Sequence, residues 1–91
     1  MPHAVSLSWT ASTDTNVSSY NIYRSTTAGA ETAPAIGTST TTTFTDSTVT
    51  DGTFFYVVTA IAGSAESVFS NEVSVNILPA PPSGLTVVSS S

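Results

Sequence analysis

The sequence predicts an all-β protein of sandwich type, and three observations carry that reading. Wherever the chain is apolar, apolar and polar residues alternate, and no window holds apolar residues at helical spacing over three turns. Clusters of Ser, Thr, Asn, Asp, Gly and Pro separate these stretches at intervals of roughly 8 to 12 residues, the punctuation of a chain of short strands. The length of 91 residues suits one small domain, which buries only about two-thirds of the surface its unfolded chain exposes.

The elements follow in order. "VSLSWT" sets Val5, Leu7 and Trp9 on one face against Ser6, Ser8 and Thr10 on the other, a strand with one buried side. "ASTDTNVSS" is turn-prone, and "SYNIYRST" resumes the alternation with Tyr20 and Ile22 on one face and Asn21 and Tyr23 on the other. "AGAETAPAIGTST" has room for a short edge strand near Ile36, since Pro34 lacks the amide that a central ladder position needs. "TTTTFTD" is a β-branched run leading to Phe44, and Asp51-Gly52 marks a tight turn into "TFFYVVTAI". That most apolar segment reads as a central strand, either covered on both faces or lined on one by exposed aromatics. "AGSAES" is a turn, and "NEVSVNI" alternates again, giving six strands before Pro79.

Composition removes several function classes. Sixteen serines and seventeen threonines accompany six acids, one Arg and no Lys, for a net charge of −5. Such a chain cannot neutralise a run of phosphates, so a nucleic-acid partner is not expected. The acidic balance disfavours anionic lipid surfaces, and no apolar run approaches the ~20 residues of a spanning helix, so membrane insertion is not expected either. Without cysteine there is neither a disulfide framework nor a cysteine metal site. No charged and then apolar leader opens the chain.

In order and spacing, the Trp strand "VSLSW", then "YNIYR", "FFYVVTAI" and "SNEVSV" resemble a fibronectin type III domain over essentially the whole chain. The resemblance implies an immunoglobulin-like two-sheet sandwich of about seven strands. It also implies a core of Val5, Leu7, Trp9, Tyr20, Ile22, Phe44, Val49, Tyr56, Val58, Ala60, Val73 and Val75. An extracellular or cell-surface setting follows from it as well. The family places a tyrosine at the head of the sixth strand, its hydroxyl bonded back to the preceding turn. Phe54 occupies that position here, so this corner hydrogen bond, about 1 kcal/mol net, is expected to be missing.

A second departure concerns order. The family's first strand, proline-rich at its entry and then apolar-x-apolar, has no counterpart before Val5, whereas "PAPPSGLTVVSSS" at residues 79 to 91 fits it, with Pro82, Leu85 and Val87 as its markers. Residues 1–78 therefore read as a sandwich lacking its first strand, and 79–91 as a linker plus a first-strand-like segment. In the family's topology, folding back requires crossing roughly 25 Å. The five residues Leu78 to Pro82, stiffened by three prolines, span roughly 15 Å. Donation to a neighbouring copy is thus favoured over insertion at home. The expected function is a non-catalytic structural module that assembles head-to-tail with other copies, or one period of a tandem array. The alternatives are a spacer or accessory module of a large secreted enzyme or adhesin, a fragment boundary drawn one strand late, and a permuted scaffold.

Other motifs are weaker. His3 lacks an evident orienting partner for triad chemistry, and no acids have calcium-loop spacing, so no catalytic, cofactor or metal residues are assigned. Asp14 with Asn16 suits either a loop cation site or a local turn. Asn16-Val17-Ser18 is a glycosylation sequon, and the Thr run suits either O-linked sugar or a β-branched strand. Tyr23, Phe55 and Val57 are expected on the outer sheet face, either as cross-strand packing or as a patch for a carbohydrate or protein ligand.

Overall fold

A computed structural model describes residues 3–89. Seven strands form two antiparallel sheets: β1 (Val5–Ser8), β2 (Ser19–Ser25), β3 (Gly37–Ser39), β4 (Thr43–Asp46), β5 (Gly52–Ala62), β6 (Ala65–Glu66) and β7 (Val73–Ile77). The smaller sheet is β1 with β4, and the larger runs β3-β2-β5 with both β6 and β7 on the far side of β5. The seventh strand comes from "AGSAES", read above simply as a turn. Ala62 faces Ala65 across a two-residue loop whose Gly63 has φ 64°, and the positive angle at its first position alone gives the hairpin a type II′ sign pattern.

Alternation sorts the side chains as the period of two requires. Val5, Ile22, Val49, Phe54 and Tyr56 form the buried core, with Leu7, Trp9, Ile36, Phe44, Val58, Val75 and Ile77 packed against it. Tyr20 is buried beside Trp9, their rings edge-to-face at 5.5 Å between centroids. The sandwich is closed on its β3–β4 side by Phe44, whose ring lies against Gly37. A Cβ at position 37 would sit 2.6 Å from two atoms of that ring, so only glycine permits the approach.

Phe54 has no hydroxyl with which to make the corner bond, and β5 is tied instead to the end of β4 from a different position. Tyr56, two residues into β5 from Phe54, donates its hydroxyl to Asp46 Oδ2 at 2.7 Å. The same oxygen accepts from Arg24 Nη1 at 2.8 Å, and Oδ1 accepts from the Thr48 amide at 3.0 Å and the Thr48 hydroxyl at 2.6 Å. Burial alone would favour the neutral acid. The donors from Thr48, Tyr56 and Arg24 outweigh burial and hold the Asp46 pKa at about 2. Burial, and then the neighbouring carboxylate, push the Tyr56 hydroxyl in the opposite direction. Phe54 instead joins the core and carries the Arg24 guanidinium 5.2 Å above its ring.

Candidate assembly groove

The register of the small sheet decides which backbone groups of β1 are used. Val5 faces Asp46, Leu7 faces Phe44, and the Trp9 amide donates to Thr42 O at 3.0 Å, so these odd positions form the hydrogen-bonded pairs with β4. The N–H and C=O of Ser6 and Ser8 therefore point the other way, to an edge with no strand partner among the described residues.

Beside that edge the sandwich is open. A groove of about 450 Å³ runs between β1 and the far side of β5, lined by Leu7, Trp9, Tyr56, Val58, Val68 and Val73 among others, with no charged residue in its walls. Trp9 Nε1 is buried there without a hydrogen-bond partner among the described residues. Val73, expected in the core, is 44% exposed because none of the described residues covers its side of the groove. The rim is built by 67–70, which follow the edge of β5 between β6 and β7. Ser67 N donates to Ala60 O and Ser70 N to Val58 O, while the hydroxyls of the same two serines accept from the amides of Ala60 and Val58, all at 2.9 Å. Serine hydroxyls thereby replace a neighbouring strand and leave Val68 at the rim, 88% exposed.

The same segment covers much of the face expected to be exposed. Tyr23 is only 6% and Val57 only 3% exposed, with Phe55 half-buried. Phe69 packs on Tyr23 at 5.5 Å between ring centroids, and the Tyr23 hydroxyl donates to Glu66. Thr59 Oγ1 donates to the same Glu66 oxygen at 2.6 Å, and these two hydroxyls hold the Glu66 carboxyl below the usual range. β5 is thus covered on both faces, so the surface expected at Tyr23 and Val57 is packed rather than exposed. Glu31 is buried, and its Oε2 has no hydrogen-bond partner among the described residues. Burial and the neighbouring Glu72 push its carboxyl up, while the Glu31 contact and the Gly29 amide, donating at 2.8 Å, push Glu72 down.

Of the minor candidates, Asp14 Oδ1 accepts from the Asn16 amide at 2.8 Å, the local-turn arrangement. His3 does have a partner, contrary to expectation: its Nε2 lies 2.9 Å from Asp51 Oδ1 on the exposed surface.

The assembly-strand residues lie outside the sandwich. From Leu78 to Ser89 the chain joins no strand, and Leu85 is 97% and Val87 82% exposed. The molecule measures 71 × 23 × 19 Å, with a radius of gyration of 18.1 Å, against about 12 Å for a compact chain of this length. Gly84 has φ 72°, which interrupts the extended path just before Leu85. Ile77 lies opposite Gly52 at one pole, whereas the Trp9 end of β1 lies near Tyr20, itself opposite Ala60. A tail running antiparallel to β1 in its own groove must therefore climb about 26 Å, at ~3.3 Å for each position from Gly52 to Ala60, and then reverse. The seven residues from Leu78 to Gly84 reach about 22 Å at ~3.1 Å each.

No protein-family model and no curated protein matches the sequence. Among solved structures, the chain is similar to an Fn3-like protein from Clostridium thermocellum, with 32% identity and a TM-score of 0.70 over 87% of this chain and 81% of that one. With the all-β architecture of two sheets and seven strands, this likeness shows that the chain belongs to the fibronectin type III-like family.

Proposed function

We propose that this domain is a non-catalytic structural module that links to other copies of itself by strand donation, the segment after Pro82 of one copy filling the groove beside β1 of the next. One observation carries the reading: a single chain combines an open, uncharged, apolar groove along an unpaired strand edge with an exposed apolar-alternating segment outside the sandwich. The segment from Leu78 onward is uncharged, like the groove walls. A strand added to such an edge gains main-chain hydrogen bonds, and alternate side chains entering the groove fix its register. Burying Leu85 and Val87 contributes about 3 to 5 kcal/mol, opposed by the ~4 kcal/mol or more lost in association. Linkage is therefore expected to depend strongly on concentration. The contact joins two different surfaces head to tail, so copies extend into open chains unless the rotation between them closes a ring. The setting we infer for this role is extracellular or at the cell surface, following the family resemblance.

Light scattering tests the reading. The molar mass of the full chain should rise with concentration, while a full-chain variant carrying Leu85→Asp and Val87→Asp should remain monomeric. If the unmodified chain is monomeric at every concentration, self-assembly is wrong and a spacer role takes its place.

A further inference from the structure

Resting on the strand-donation reading, we infer the register of the joint: Leu85–Val88 of one copy pairs antiparallel with β1 of another, with Leu85 opposite Trp9, Thr86 opposite Ser8, Val87 opposite Leu7 and Val88 opposite Ser6. Four observations fix it. First, every strand pair in the fold is antiparallel, and a strand of the other sense would make a mixed sheet with a less stable ladder. Second, the unused N–H and C=O groups of β1 belong to Ser6 and Ser8, whose side chains face outward, so the residues opposite them also face outward. With Thr86 and Val88 there, Leu85 and Val87 enter the sandwich. Third, the groove lies beside Leu7 and Trp9, while Val5 is already buried without any added strand. The two vacant inward places are therefore opposite Trp9 and Leu7, and not one step further toward Val5. Fourth, the positive φ of Gly84 and the missing amides of Pro81 and Pro82 end the ladder just before Leu85. The linker then leaves the groove at the Trp9 end, toward the pole of the donor from which its β7 exits.

Cysteine pairing tests the register, and a chain without cysteine makes the background clean. In the double variant carrying Ser8→Cys and Thr86→Cys, the paired Cα atoms would lie about 5.5 Å apart, within disulfide reach. Mild oxidation should then yield a ladder of disulfide-linked oligomers on a non-reducing gel. A second double variant, Ser6→Cys with Thr86→Cys, displaces the pair by two residues, about 6.6 Å along the strand and beyond reach, and should yield at least tenfold less ladder. Ser6, Ser8 and Thr86 are all exposed, so none of these substitutions disturbs the core. The register is overturned if the second variant links as well as the first, or if neither links while light scattering under reducing conditions still shows assembly. An intramolecular disulfide in a monomer overturns donation between copies, the tail then filling the groove of its own chain. A monomeric mass at all concentrations, with no ladder, overturns the underlying reading itself.

Discussion

Tyr56→Phe isolates the hydrogen bond that ties β5 to the end of β4. The substitution removes one hydroxyl from a nearly fully buried ring and leaves the ring's own packing in place. A hydrogen bond to a charged group contributes about 1.5 to 3 kcal/mol net. Asp46 keeps its contacts with Arg24 and Thr48, so the cost belongs toward the lower end, about 2 kcal/mol. For a domain of this size that lowers Tm by about 8 to 16 °C. The assay is urea unfolding followed through the fluorescence of Trp9, the sole tryptophan, in the Leu85→Asp, Val87→Asp background so that self-association does not contribute. A second signature lies at acid pH. The Asp46 pKa is lowered from 3.8 to about 2 in the fold. Its stabilisation, about 2 kcal/mol, is therefore fully present above pH 3.8 and lost as pH falls through about 2. Removing a donor raises the folded pKa, so the acid limb of Tyr56→Phe should move to higher pH. A variant within about 0.5 kcal/mol of the parent, with an unmoved acid limb, would refute the bond between Tyr56 and Asp46.

Gly37→Ala forces a methyl group to within 2.6 Å of the Phe44 ring and should cost about 1 to 3 kcal/mol in the same urea assay; an unchanged midpoint would contradict the close approach of β3 to β4. The raised pKa of Glu31 means that its burial costs stability progressively as pH climbs from 4.5 through the folded value. Glu31→Gln should therefore be relatively more stable than the parent at pH 7.5 than at pH ~4, and equal differences at both values would refute this. Because the groove and the tail are uncharged while the whole chain carries −5, raising salt about tenfold should leave assembly unchanged or slightly strengthened by screening, whereas dissociation would point to an ionic joint.

The strands were legible where the period of two had a single meaning. Val5, Leu7, Tyr20 and Ile22 alternate with outward or edge positions, and the sandwich follows from placing those faces together. What the alternation could not convey was cover from outside the strands. Tyr23 and Val57 lie on the face opposite the core, and the period alone leaves that face to solvent. Phe69 closes it from a segment with no strand pattern, held by two serines whose hydroxyls bond to strand amides. A Ser67–Ser70 pair bracketing Val68 and Phe69 was the available sign. Alternation likewise carries no sign of the bond from Tyr56 to Asp46, which depends on a polar partner at the end of another strand. The resemblance places Val73 in the core, and neither it nor the alternation of "NEVSVNI" tells whether the neighbouring place is filled.

Hydrogen exchange at the Ser6 and Ser8 amides tests strand donation most directly, since these are the β1 donors that only an added strand would engage. On donation, both amides should become protected as protein concentration rises, in step with the molar mass, and remain unprotected at all concentrations in the Leu85→Asp, Val87→Asp variant. Amides that exchange at the same rate in dilute and concentrated samples of the unmodified chain would contradict the account, because the edge of β1 would then be unoccupied in any assembly the protein forms.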